Sequence, residues 1–339
     1  MKNKTILRAT AMTIFAIVLI LSCSKQQMTT EDFALNYELP NDIAKHVIQQ
    51  NGLLKFENKE SFDLVFQILE SENKRHNDLL KEKCIEMTSL SMEYKEIFKA
   101  NEFAVYETFE ESLGFKSLRA RIAMDEEVWL NNRELDLAND PDNHCIVGSE
   151  MRTLFNENGE IMIGNSIYVV GENWLVYEIT NGSFQILESL RETGLNEQKS
   201  QHLTIHNQES NLKADDCKLN QDKVYYNNYA IDYRVKCRVT ITNAVFWHYA
   251  KAETTHYIYD GQGGWDKEPA DLEVHVSGLI RNSDCGITTT PFNNSDAKSN
   301  VKSISVKQSF GTTVKAQNGE VFSVHYVNDT SVFNVVLDW

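Results

Sequence analysis

The sequence predicts an α+β protein: N-terminal helices with a small antiparallel sheet, followed by an all-β sandwich-like domain. Three observations predict it. Apolar residues recur at spacings of three and four through much of residues 58–137, the signature of one buried helix face. Asn158-Gly159 and Asn181-Gly182 bracket short aliphatic runs, as tight turns bracket strands. Beyond residue 200 apolar and polar residues alternate in run after run, the period of half-buried strands.

The chain opens with an export signal. Lys2, Lys4 and Arg8 precede an apolar run from Ala11 to Leu21, interrupted by Thr13. About eleven residues suit a signal-peptide core and are too few to span a bilayer. The run ends in Ile20-Leu21-Ser22-Cys23, which resembles the bacterial lipobox. The resemblance implies cleavage before Cys23 and diacylation of its thiol, although Leu21 is atypical beside the usual small or β-branched residue. Two or three acyl chains anchor firmly where one binds marginally. An ordinary secretory leader with a chance cysteine is the alternative. Residues 24–30 are polar and patternless, a tether. The expected layout is therefore a signal peptide over 1–22, a tether and entry segment over 23–57, a helical and small-sheet domain over 58–200 and a sandwich-like domain over 201–339. The expected location is the bacterial cell envelope, at the outer membrane.

Leu53-Leu54-Lys55-Phe56 suggests a short strand. Asn58 can cap a helix that runs to about Ala100, with Phe62, Val65, Ile68 and Leu69 on its apolar face. Asn77 and Asp78 offer a break. A third helical stretch runs from Glu102 to about Leu137, interrupted near Gly114. After Pro141, Ile161 to Val169 and Trp174 to Ile179 read as strands, and Ile186 to Arg191 as a short helix. The polar stretch from Glu192 to Asp216 marks the boundary. Further strands are predicted over 224–229, 233–243, 245–251, 253–259, 272–280, 301–308, 311–315, 321–327 and 332–339. A sandwich suits this spacing, with a partly closed barrel as the alternative.

Charge is uneven along the chain. Residues 23–200 carry 33 acidic and 17 basic side chains; residues 201–339 carry 16 and 13. An acidic body repels nucleic-acid phosphates, which excludes nucleic acid as a partner. It also makes the lipid on Cys23, rather than a basic face, the membrane contact. Six cysteines occur. With Cys23 acylated, five remain and one must stay unpaired. Cys237 alternates with the valines around it, as a small buried hydrophobe, and Cys84 lies in an apolar helical stripe. Cys217 and Cys285 flank one β segment in polar sequence and are the expected disulfide, with Cys217–Cys237 as its competitor.

The segment Leu154–Tyr168, the segment Gly114–Arg119, and the set Thr254, His256, Tyr257, Gly264, Trp265, Val274, Val276, Gly278 and Cys285 together resemble uncharacterised Bacteroidota lipoproteins. The resemblance spans most of the mature chain in short, degenerate pieces. It implies the compartment and the architecture but no established activity, cofactor or site residue.

No GxSxG elbow, HExxH, Walker loop or dinucleotide fingerprint occurs, and no cofactor or metal is expected. Three weaker constellations remain. Tyr225, Tyr226, Tyr229, Phe246, Trp247, Tyr249, Tyr257, Tyr259 and Trp265 crowd together. Strand alternation sends about half of these rings to each side. Trp247, Tyr249, Tyr257 and Trp265 are the candidate ligand platform, suited to stacking on sugar rings; simple packing of a sandwich is the competing account. Asp136, Asn139, Asp140, Asp142, Asn143 and His144 are dense in oxygen but lack EF-hand spacing, and read as a loop after a helix. Asp260, Asp266 and Glu268 could supply the paired carboxylates of glycoside hydrolysis, or merely a Gly- and Asp-rich turn. The spacing of His248, His256, His275 and His325 selects no zinc site. The reading is a non-catalytic binding or accessory lipoprotein for a glycan or envelope protein. The alternatives are a carboxylate-dependent hydrolase such as a glycosidase, or a structural lipoprotein.

Overall fold

The computed structural model describes residues 40, 43–86, 103–131, 137–144, 148–171, 175–193, 201–206, 217–218, 220–245, 247–282 and 289–337. The chain divides into two compact units, residues 1–38 with 75–104, and residues 39–74 with 105–339. The second holds the sheets and the candidate site. Cys23 and the residues around it lie outside the described residues.

Helix α1, Lys59–Glu86, starts where the Asn58 side chain accepts the Ser61 N–H at 2.9 Å, the predicted cap. It runs unbroken through Asn77 and Asp78. Neither is Gly or Pro, and an interior Asn or Asp costs a helix only a few tenths of a kcal/mol. Helices α2, Ala104–Ser112, and α3, Leu118–Leu130, part at Gly114, whose φ is +57°, a value glycine adopts without penalty. Ser117 caps α3 through Ala120 N at 3.0 Å. Glu110 on α2 then receives Arg119 of α3 at 2.9 and 2.6 Å. This buried two-point pair fixes one helix on the other.

A six-stranded sheet follows the order β1 (Val47–Gln50), β2 (Leu53–Phe56), β3 (Glu160–Ile163), β4 (Ser166–Val170), β5 (Val176–Ile179) and β6 (Leu203–His206). Asn51 and Gly52 turn β1 into β2 with φ of +53° and +78°, the twist that hairpins prefer. β2 and β3 pair in parallel. Two more helices are α4, Ser149–Arg152, and α5, Phe184–Thr193. α5 packs Leu187 and Leu190 on Leu53, Met162, Ile167 and Tyr177.

The sandwich pairs two antiparallel sheets. One contains β8 (Gln221–Ala230), β9 (Tyr233–Ala244), β10 (Trp247–Tyr259), β11 (Trp265–Lys267) and β14 (Ser303–Phe310). The other contains β7 (Cys217–Lys218), β12 (Ala270–Asn282), β13 (Thr289–Val301), β15 (Val314–Val327) and β16 (Thr330–Val336). Val235, Val239, Ile241, Ala250 and Ala252 meet Val274, Val276, Val321, Val327 and Val335 between them. Cys237 is in this core, buried and free, and burial pushes its thiol pKa well up. Cys217 is disulfide-bonded, which removes Cys237 as its partner.

Strands outnumber α-helices sixteen to five among the described residues. The fold is mainly β and sandwich-like, which corrects the α+β expectation. The stretch expected as a polar boundary hides a strand of four residues, β6, whose Ile205 pairs with Tyr177. Local periodicity carries no trace of so distant a partner. β13 was also not expected. Its sequence, TTPFNNSDAKSNV, is mostly exposed at a sheet edge, where polar residues and a proline are admissible.

His325 on β15 is fully buried between Thr254 and Ser323, each hydroxyl 2.7 Å from a ring nitrogen. Burial lowers its pKa to about 3. The unfolded chain accepts that proton near pH 6.5 and the folded chain only near 3, so stability falls as pH falls between them. One such proton gives a slope of about 1.4 kcal/mol per pH unit. His325→Gln is expected to flatten the urea-midpoint profile between pH 6 and 4. An unchanged profile would assign the acid sensitivity elsewhere.

Candidate functional site

Strand alternation aims Val235, Cys237 and Val239 into the core, and so turns Lys236 and Arg238 to the opposite face of the sheet. That face is covered by the chain's own N-terminal part. Lys236 Nζ lies 2.7 Å from Asp140 and 2.8 Å from Asp142. Asp142 also takes Arg152 at 2.5 Å and Arg238 at 3.3 Å, while Arg238 forks onto Asp222 at 2.8 and 2.9 Å. Tyr226 donates its hydroxyl proton to Asp140. Burial acts to raise the pKa of Asp142, but Lys236, Arg152 and Arg238 hold it well below the carboxylate range. Burial acts to lower that of Lys236, and Asp142 and Asp140 drive it up instead. Farther out, Lys307 pairs with Glu70 at 2.8 Å and Lys267 with Glu126 at 2.7 Å. The acid-rich N-terminal half thus meets bases of the sandwich across a largely buried seam. The pattern Arg234-Val235-Lys236-Cys237-Arg238 was the sequence signal for it: a basic stripe on one strand face needs acids opposite.

This seam changes the reading of the predicted site residues. Trp247 is 8% exposed, Tyr249 7%, Tyr257 1% and Trp265 8%. Trp247 packs against Phe62 and Phe155, at 6.2 and 6.1 Å between ring centroids. The Tyr249 hydroxyl lies beside Gly148. Trp265 sits under the Arg234 guanidinium at 4.3 Å and edge-on to Tyr259. The four rings therefore make no open platform. Their apolar surfaces are buried against residues 62–155 and neighbouring strands, a larger gain than exposure for rings of this size.

The oxygen-rich loop is likewise committed internally. Asp140 and Asp142 hold Lys236, and Asn143 donates to the Tyr226 oxygen at 3.1 Å; Asp136 lies outside the described residues. Asp260 accepts the N–H groups of Gln262, Gly263 and Gly264 at 2.7, 3.0 and 2.9 Å. Those bonds hold its pKa below the ordinary value and make it a turn residue. The histidines serve separate sites. His248 bonds Asn243, His275 pairs with Glu273, His325 lies in the core, and His256 bonds Tyr229 and the Glu268 carbonyl.

That last contact belongs to the most distinctive exposed feature. At one end of the sandwich β8 turns into β9 through Ile231 and Asp232. Ile231 is 96% exposed, and Tyr229 and Tyr233 beside it are each 37% exposed. Tyr233 lies on His256 at 5.6 Å and 11°, and on Tyr229 at 5.9 Å and 29°. The His256 Nδ1–H donates to Glu268 O at 2.8 Å. Nε2 is then an acceptor for the Tyr229 hydroxyl at 2.6 Å. Burial lowers the His256 pKa and favours this neutral form. Asp232 O accepts Tyr259 N at 2.8 Å and ties the turn to the next hairpin. The result is a rigid, partly apolar tip. The sequence lists Tyr229 among many aromatics but does not single out Ile231 or Tyr233, because exposure at a turn is set by strand ends that pattern does not locate.

No family model and no curated protein matches the chain. Among solved structures it is similar to a DUF4848 family protein from Bacteroides thetaiotaomicron VPI-5482, at 12% identity over 86% of this chain and 100% of that one, with a TM-score of 0.22. At that score the likeness carries no argument about this fold or its function.

Proposed function

We propose that this chain is a lipid-anchored, non-catalytic binding or accessory protein of the bacterial cell envelope, whose ligand contact is the tip at Tyr229, Ile231 and Tyr233. The tip carries the reading. Two half-exposed rings are locked from behind by His256, and a fully exposed β-branched residue occupies a turn where Asn, Asp or Gly is the usual choice. Local chemistry that departs from its own rules without a structural gain points to a use outside the chain. Anchoring rests on the signal and Cys23. The partner proposed for the disulfide of Cys217 is Cys285, which lies outside the described residues; Cys237, the competing partner, is free. Mass spectrometry of the native protein is expected to find an acylated Cys23 at the amino terminus and one peptide linking Cys217 to Cys285. A bare sulfur on Cys23 overturns the anchoring, and a different partner for Cys217 overturns the pairing. Affinity capture from envelope extracts is expected to retain one glycan or protein at near-stoichiometric level without altering it. Hydrolysis of a retained glycan would overturn the non-catalytic reading.

A further inference from the structure

The charge around the tip narrows its ligand. Five aspartates are exposed at this end of the sandwich. Asp232 is in the turn itself, and Asp260 and Asp266 belong to the hairpin that the turn bonds to. Asp271 and Asp329 arrive from the other sheet. Strand pairing carries the same end across: His256 N bonds Lys302 O, Val301 pairs with Ala270, and Asp271 O accepts Asn328 N at 2.8 Å. Of the bases at this end, Arg234 is half-buried over Trp265, Lys267 is paired with Glu126 and Lys298 with Asp296, and Lys302 is buried.

We infer that the tip docks in an apolar pocket of a second protein, with a rim of lysine and arginine facing the five aspartates. The inference rests on the binding reading above and adds the class of partner. Three considerations select a protein. A sugar stacks on open ring faces, whereas Ile231, the most exposed group of the tip, has no ring, and Tyr229 and Tyr233 are only 37% exposed and engaged with each other and with His256. An anionic bilayer surface repels an acidic end, so an isoleucine and two tyrosines gain no electrostatic help there. A convex, preorganised anchor of aliphatic and aromatic groups with a charged surround is the form that protein hot spots take, because little side-chain freedom is lost on docking. Opposite charge at the rim would then set orientation and association rate.

The test places a photoreactive benzophenone amino acid at position 231 of the full-length protein in its own cells. Met124 on α3, 69% exposed, is the control position. Irradiation is expected to join position 231 to one protein at least tenfold more than position 124. The joined peptide should be apolar and flanked by lysine or arginine. Ile231→Asp, a change on a side chain already in water, is expected to weaken binding of that purified partner at least tenfold. Asp232→Lys with Asp266→Lys, both on exposed side chains, should slow its association and weaken the salt dependence. Crosslinking to lipid, to glycan, to another copy of this chain, or equally from both positions overturns the inference. A partner captured by the wild type but held equally by Ile231→Asp overturns the tip as its contact and leaves the binding reading standing. If neither capture nor crosslinking yields any ligand, the binding reading itself falls.

Discussion

Lys236→Met is expected to destabilise the protein by about 3–5 kcal/mol, the cost of leaving a buried charge without its partner. Lys236 is 3% exposed and Asp140 fully buried. Methionine matches the length of the lysine stem, so packing changes little and the loss isolates the charge. Asp142 keeps Arg152 and Arg238. Asp140 keeps the neutral hydroxyl of Tyr226 and the Asp142 N–H, neither of which carries a charge. Asp140, fully buried, is then left without a cationic partner, which raises the free energy of the fold. The added substitution Asp140→Asn should recover part of the loss, because it removes the stranded charge. That non-additivity is the mark of a direct pair. Urea midpoints of the two single variants and the double variant decide it. A loss below about 1 kcal/mol for Lys236→Met would mean that water reaches the seam, as at an exposed ion pair.

The same residues show what the sequence made legible. The inward valines and Cys237 of β9 are visible in its alternation, and so is the cap at Asn58. The acidic excess of residues 23–200 is visible as composition, but its partner is not. Asp140 and Lys236 stand 96 positions apart, and nothing local couples them. That is also why the aromatic segment misled. Alternation correctly divides Trp247, Tyr249 and Tyr257 from the core-facing residues between them. It cannot say that residues 62–155 fold back over their side. An amphipathic strand shows that a face exists and leaves open whether water or protein covers it.

Gly278→Ala tests a different long-range feature, the register of β12 against β15. Up to Gly278, which pairs with Val321, the two strands match residue for residue. The next pair is Ile280 with Ala316, so four residues of β15, 317–320, stand opposite the single residue Leu279. This bulge lets one strand serve two neighbours: β16 flanks residues 322–327, and the disulfide-bonded β7 flanks Ala316 and Gln317. The chain must pass very close to β12 to make that change. A Cβ on Gly278 would lie 2.2 Å from Glu320 O and 2.8 Å from Val321 Cα. Both obstacles are backbone, so no rotamer relieves them. Overpacking against side chains costs roughly 1–3 kcal/mol, and this clash is expected at or above the top of that range. It should also loosen β7, visible as faster amide exchange at Lys218. Gly311→Ala is the control. It has no atom within 4 Å of the added carbon and no positive φ, so it should be neutral or gain a few tenths of a kcal/mol by stiffening the unfolded chain. Equal urea midpoints for the two variants would mean that β12 and β15 do not meet in this register. The core contacts of Val274, Val276 and Val321, which depend on that register, would then need a different arrangement.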